Sequence, residues 1–298
     1  MNGIINVYKE EDFTSFDVVA KLRGILKQKK IGHTGTLDPK AQGVLPVCLG
    51  KSTKVCDLLT DKDKVYETVM LLGITTDTQD MTGTILSEKT VTCTEDTVRD
   101  AVMQFVGDYS QIPPMYSALK VNGKKLCDLA RAGIEVERKA RPVHIFEIEL
   151  LSIALPRVKM RVHCSKGTYI RTLCQDIGEQ LGCGACMESL LRTKVADFTL
   201  EHAYRLSEIE EAVKNGTIDS MIASTDSVFR KYPEVTILPE YEKILYNGNR
   251  LPITTCEVWK DEWKEQPVRV YDMEHRFIGI YEYKEQEQGL KPVKIFME

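Results

Sequence analysis

No run of this chain is apolar for anything near the ~20 residues that a membrane-spanning helix needs, which excludes a helical membrane protein. Residues 1–7 carry no basic flank and no cleavage site, so they read as a first strand and not as a signal peptide. Internal repeats and low-complexity stretches are also missing, which excludes a solenoid. The five histidines, His33, His144, His163, His202 and His275, are too dispersed for a metal site. Nine cysteines is an odd number, scattered among apolar neighbours as at Cys48, Cys56, Cys164 and Cys174. That usage fits reduced, mostly buried thiols in a cytoplasmic protein. The one clustered pair, Cys183-Gly-Ala-Cys186, has no second pair or histidine partners and falls just past a predicted helix end at Gly182. The net charge of −4 argues against a protein that coats nucleic acid with its whole surface. A local basic face stays open, because phosphate contacts depend on where charges sit.

What is present is an ordinary globular composition, 43 % hydrophobic and 28 % charged, enough for a sizeable core in one large domain or a large domain with a small companion. Thr14-Ser15-Phe16-Asp17 offers a helix start with Ser15 as N-cap, and Val18, Val19, Leu22, Ile25 and Leu26 follow at helical spacing. Residues 65–74 begin with a β-rich run, and 94–106 read as an amphipathic helix closed by Gly107. Asn122-Gly123 is a hairpin signal, followed by a short helix that stops at Gly133. Two strands are expected over 144–153 and 158–164, then helices over 170–182 and 207–214. This irregular mixture predicts an α+β fold, a mainly antiparallel sheet flanked by helices. From about Tyr232 short β-like runs alternate with charged turns. The expected division is therefore a domain over residues 1–230 and a small β-rich module over 231–298.

Residues 32–43 read Gly-His-Thr-Gly-Thr-Leu-Asp-Pro-Lys-Ala-Gln-Gly and carry most of the functional information. Pro39 pushes Asp38 out of helical conformation, so the carboxylate is expected to stand out from a loop. Between Lys21 and Lys54 it faces eight Lys or Arg and no other acid. An isolated acid in a basic, glycine-rich loop suits a reactive group facing a polyanion. Two plainer readings compete: a turn whose carboxylate bonds its own backbone, and a phosphate loop ending at Gly50-Lys51-Ser52. The second fails because the glycine required five residues earlier is Leu45.

Two further segments join this loop: Lys64-Val65-Tyr66, where Tyr66 begins a strand, and Ser165-Lys166-Gly167-Thr168-Tyr169-Ile170-Arg171, with Arg171 in the first turn of a helix. Together with Pro113-Pro114-Met115-Tyr116-Ser117-Ala118-Leu119-Lys120 and Leu190-Leu191-Arg192-Thr193, they recur in the order seen in the bacterial TruB-family tRNA pseudouridine synthases. The chain resembles that family from Gly3 to about Thr199. The resemblance implies the pseudouridine synthase fold, a PUA-like RNA-binding tail, and isomerisation of uridine 55 in the tRNA T-arm. It implies a catalytic aspartate at Asp38, a base-stacking tyrosine at Tyr66, an aspartate-pairing arginine at Arg171, and at His33 a histidine that fills the gap left by the flipped base. Lys9, Gly32, Thr34, Lys166, Tyr169, Lys29 and Lys30 are expected at the RNA surface, with Lys21, Lys27, Lys51 and Lys54 as further phosphate contacts. Asp77 and Asp80 read as turn residues, since two carboxylates alone make a poor metal site. One departure from the family pattern stands out. Residues 9–15 keep its lysine, threonine and serine but replace its proline and glycine, and Glu10, Glu11 and Asp12 add negative charge.

The chemistry fits these residues. Breaking C1′–N1, turning the base over and joining C5 to C1′ needs no oxidant, energy source, metal or cofactor. An ionised Asp38 could attack C1′ or remove a proton from C2′, and the sequence leaves both routes open. A nearby Arg171 would favour the charged carboxylate. Expected partners are tRNA alone, with the protein monomeric and away from membranes. The competing function is a non-catalytic tRNA-binding or folding chaperone using the same surface.

Overall fold

A computed structural model describes residues 1–297 of the chain. Its main sheet has ten strands: β1 (Gly3–Lys9), β2 (Ile31–His33), β3 (Gln42–Leu49), β4 (Lys64–Leu72), β5 (Gly107–Gln111), β6 (Arg141–Ala154), β7 (Arg157–Cys164), β8 (Ala185–Val195), β9 (Phe198–Thr199) and β10 (Ile222–Ala223). The order is β10-β1-β3-β8-β4-β7-β6-β5, with β2 beside β3 and β9 beside β8. Every pair is antiparallel except β3 with β8. The expected mixed, mainly antiparallel α+β sheet is therefore present.

Two-residue alternation sets which face is buried. In β7, Val158, Met160, Val162 and Cys164 point inward at no more than 1 % exposure, while Arg157, Lys159, Arg161 and His163 point out. Helices α2 (Glu95–Met103) and α3 (Ile170–Gln180) cover this inner face through Val98, Val102, Leu173 and Ile177. On the other half of the sheet, Ile5, Val7, Leu45 and Val47 pack against Val18 and Leu22 of α1 (Ser15–Ile25) and Ile209 of α4 (Leu206–Asn215). Each such aliphatic side chain contributes roughly 1.5–3 kcal/mol when fully buried. A second sheet of five strands occupies the tail: β11 (Glu234–Thr236), β12 (Leu251–Pro252), β13 (Val268–Tyr271), β14 (Phe277–Lys284) and β15 (Gly289–Ile295). It has its own core, and Phe229, Ile280 and Phe296 pack on Ile4, Cys48 and Leu59 to join the two sheets.

Two local expectations are corrected. The N-cap of α1 is Thr14, whose side chain accepts from the Asp17 amide while Asp17 answers on the Thr14 amide. Ser15 instead receives the Leu37 amide at 2.9 Å, next to Asp38. The central strand β8 was not anticipated. Bulges between Met187 and Ser189 and between Arg192 and Lys194 break its alternation, so its period-2 signal is lost.

Candidate active site

The Asp38 loop bridges β2 and β3 and is tied down from several directions. Thr34 donates both its amide and its hydroxyl to the Pro46 carbonyl, at 3.1 Å each. Leu37 bonds Ser15, the Asp12 amide reaches the Pro39 carbonyl at 3.0 Å, and the Ala41 amide closes a turn onto the Asp38 carbonyl at 3.1 Å. Lys9 runs beneath, donating to the carbonyls of Glu10, Pro39 and Ala41 at 3.0, 3.0 and 2.5 Å. Three N–H donors meet three carbonyls, so the ammonium is fully satisfied without solvent. Gly43, at φ +107°, sits where a Cβ would lie 2.2 Å from the Arg192 carbonyl oxygen, so β3 and β8 can meet only at a glycine.

Arg171 meets Asp38 from the first turn of α3. Its Nε lies 2.9 Å from Oδ2 and its Nη2 3.3 Å from Oδ1, a forked contact that fixes the carboxylate plane. The same guanidinium donates to the carbonyls of Tyr116 at 2.8 Å and Thr78 at 3.0 Å. Its side chain is 5 % exposed, so its position is set by protein alone. A second carboxylate approaches: Asp80 Oδ2 is 3.9 Å from Arg171 Nε. Asp80 Oδ1 meanwhile accepts from the Thr78 hydroxyl and from the amide and hydroxyl of Thr82. Asp80 is thus a turn residue, as its sequence suggested, and also the third member of an Asp–Arg–Asp cluster, which the sequence did not reveal.

Water reaches 37 % of the Asp38 side chain, yet protein packs around the carboxyl on most sides at the floor of a cleft. Burial pushes its pKa above the ordinary aspartate value. Arg171 and Lys9 pull it down and Asp80 pushes it up, leaving the balance raised.

Two cavities meet at Asp38. The smaller, about 330 Å³, is lined by Asp38, Tyr66, Ser117, Tyr169, Arg171 and Arg192 among others. The larger, about 580 Å³, has Asp38, Glu67, Asp80 and Glu188 in its walls. The smaller one is the candidate site, because Tyr66 and Arg171 line it and not its neighbour. Tyr66 is 8 % exposed; burial pushes its hydroxyl pKa up, against the pull of the adjacent Arg192 guanidinium. Arg192 is fully buried, with Nε on the Val44 carbonyl at 2.7 Å and Nη2 on the Gly35 carbonyl at 3.3 Å. It was part of a recognised motif, but nothing in the sequence marked it as buried beside Tyr66.

The residues expected at an RNA surface divide. Lys29, Lys30 and Lys166 are exposed, Lys166 with Asp61 at 2.9 Å. Tyr169 lines the small cavity, its backbone clasped by Gln111. His33 is half-buried and accepts the Gly35 amide on Nδ1, and burial and the Arg192 charge lower its pKa from the ordinary histidine value. Lys9 and Thr34 are placed differently from expectation: both are buried, at 1 % and 0 % exposure, and bond loop carbonyls instead of facing solvent. Gly32 packs against Cys56, with Sγ only 3.3 Å from where a Cβ would be. The acidic turn is electrically occupied: Glu10 pairs with Arg205, and Lys40 bridges Glu11 and Asp12 at 3.3 and 2.8 Å. Asp12 holds the left-handed backbone, φ +68°, at the position where the family pattern has glycine. Cys183 and Cys186 are buried and apart in role, Cys186 contacting the Met81 sulfur at 3.4 Å.

This arrangement can be matched to proteins already known. Residues 23–170 fit the family model of the TruB pseudouridylate synthase N-terminal domain, and 171–230 that of the tRNA pseudouridylate synthase B C-terminal domain. The class that fold and cleft define is the pseudouridylate synthases. A curated relative named tRNA pseudouridine synthase B, from Lachnoclostridium phytofermentans, is 58 % identical with 100 % of each chain covered. Its counterpart from Clostridium acetobutylicum is 45 % identical over 99 % of each chain. Among solved structures, an H/ACA ribonucleoprotein bound to a substrate RNA containing 2′-deoxyuridine superposes with a TM-score of 0.74 at 25 % identity, covering 99 % of this chain and 85 % of the other. The chain belongs to the TruB family. None of its helices is long and apolar enough to cross a membrane among the described residues.

Proposed function

We propose that this protein converts uridine 55 in the T-arm of tRNA to pseudouridine, with Asp38 as the catalytic carboxylate. The observation that carries the reading is the forked Arg171 contact on Asp38 at the floor of a cavity of about 330 Å³. That volume is at the low end of ligand pockets and suits one nucleobase, not a stacked strand. The target base must therefore leave its stack to enter.

In this reading Asp38 acts ionised at C1′ or C2′ of the flipped nucleotide. Arg171 orients the carboxylate and, with Lys9, supplies the positive field that offsets its burial. Lys9 is a positioning residue, since it touches the loop and not the cleft. Tyr66 stacks on the uracil, worth roughly 1–3 kcal/mol. The C5 proton must leave after the C5–C1′ bond forms, and N1 gains one. Tyr66 lines the cavity, and the Arg192 charge favours any transient phenolate. His33 fills the place vacated by the base, and Lys29, Lys30, Lys166 and Tyr169 hold the surrounding RNA. The isomerisation is redox-neutral, so these roles need no metal or cofactor. The protein works in the cytoplasm as a monomer and needs no protein partner.

The test is site mapping. Unmodified tRNA transcript is incubated with the protein, treated with a pseudouridine-specific carbodiimide, and read by primer extension. A single stop at position 55, lost in a transcript with cytidine there, is expected. Stops confined to other uridines would overturn the assignment of the site.

A further inference from the structure

A cavity of about 600 Å³ lies where the main sheet meets the segment leading into the tail, and none of the roles above uses it. Its walls come from the inner end of β1, the turn before β4, the end of β8 and residues 227–232. Four cations line it: Lys62, Lys194, Arg230 and Lys231. All four are exposed, and none forms an ion pair among the described residues. Two acids also stand in the wall: Asp197, and Asp63, which is bonded by His163 Nε2 at 2.5 Å and feels the Lys194 charge, so four cations face two carboxylates. Tyr232 lines the cavity with its ring stacked on Phe229, 21° between planes. Cations around an aromatic platform are the pattern that holds an unstacked base and its phosphate.

A second observation is independent of charge. Asn6 sits in the wall at 5 % exposure, and its NH₂ donates to the Thr199 carbonyl at 2.8 Å. Only the nitrogen can face a carbonyl, so the amide orientation is fixed. Its Oδ1 is then a buried acceptor with no hydrogen-bond partner. Such an atom costs about 1–3 kcal/mol unless something donates to it, and a base N–H would.

The cavity and the candidate site are built on one shared turn of chain. Thr60 and Lys64 line the small cavity, while Leu59, Lys62 and Asp63 of the same turn line this one. Lys64 locks the turn by donating to the carbonyls of Thr60 and Lys62 at 2.7 and 2.5 Å.

We infer that this cavity binds an unpaired nucleotide of the same substrate RNA, its base against Tyr232, a base N–H on Asn6 Oδ1 and its phosphate among the four cations. The inference rests on the RNA-modifying reading above. The cavity is a binding subsite and takes no part in bond making.

Two measurements test it. In the full-length protein carrying Tyr232→p-benzoylphenylalanine, irradiation with unmodified tRNA transcript is expected to crosslink one unpaired nucleotide. No crosslink, or crosslinks spread along a paired stem, overturns the inference. The double variant Lys194→Glu with Lys231→Glu changes only exposed side chains. Its tRNA affinity is expected to fall at least ~10-fold, and its log–log salt slope by about one, for the one phosphate held there. Single-turnover release of tritium from uridine C5 at saturating protein should change less than about twofold. Unchanged affinity would contradict the inference. Wild-type protein that releases no tritium at all would instead sink the functional reading.

Discussion

Replacing Lys9 by methionine exposes what holds the Asp38 loop in place. Burial lowers the Lys9 pKa from 10.5 to about 8, with Asp38 pulling it back up and Arg192 pushing it further down. A shift of that size disfavours the folded ammonium by about 3 kcal/mol relative to the unfolded chain. Between the two pKa values the unfolded chain binds more protons, so stability rises with pH there. The penalty is full below the folded value and gone above the unfolded one. Between pH 7 and about pH 9.5 it shrinks by about 2 kcal/mol. Lys9→Met removes this titration and leaves the carbonyls of Glu10, Pro39 and Ala41 without their donor. Urea unfolding of both proteins at both pH values isolates the effect, because Lys64, also lowered to about 8, is common to both. The variant should be less stable at each pH, with the deficit larger by about 2 kcal/mol at the higher one. A deficit that ignores pH would mean that Lys9 is solvated and that the loop is anchored by other groups.

Other substitutions separate charge from geometry. Arg171→Lys keeps the positive charge but loses the fork on Asp38 and at least one carbonyl anchor; kcat should fall ~100-fold, about 2.7 kcal/mol, with tRNA affinity unchanged. Wild-type kcat would refute an orienting role. Asp38→Asn should abolish turnover and raise Tm. A folded pKa above the unfolded one means that ionising Asp38 weakens the fold, so stability attached to its neutral form is lost as pH rises through the folded value. A lower Tm would contradict that sign. For the same reason the acid limb of the single-turnover pH profile should lie above the ordinary aspartate value of about 3.9. Asp12→Gly relieves a left-handed aspartate, worth about 1 kcal/mol, and frees Lys40 from one of its two acids. It should leave Tm within a few degrees and tighten tRNA binding at low salt; weaker binding would show that Asp12 does more than neutralise Lys40.

The parts of the site that were legible are those whose residue type and neighbours carry the same message. Asp38 before Pro39 in a basic loop was one. The helix start around Ile170, which brings Arg171 to Asp38, was another. Lys9 was misread because a lysine beside three acids looks exposed, and only the fold brings the Pro39 and Ala41 carbonyls onto its ammonium. Asp80 was half legible: its turn role is local, through Thr78 and Thr82, whereas its approach to Arg171 spans 91 residues of chain. Strand β8 lost its periodicity to two bulges, and with it the clue that Arg192 is buried next to Tyr66. In the tail, β11, β13 and part of β14 were visible as β-branched and aromatic runs. Strand β15 was not, because Lys291, Pro292 and Lys294 interrupt it. Local pattern survives where one element decides its own packing, and fails where a distant partner decides it.

The central claim is that Asp38 performs a cofactor-free isomerisation of uridine in tRNA. Unmodified tRNA transcript labelled with tritium at uridine C5 tests it most directly, incubated with purified protein and no added cofactor. Forming the C5–C1′ bond must expel that tritium to water. Release by the wild type, absent in Asp38→Ala although that variant still binds the transcript, is the predicted result. Binding without release by the wild type would contradict the claim and leave a tRNA-folding protein; release that persists in Asp38→Ala would place the chemistry on another group.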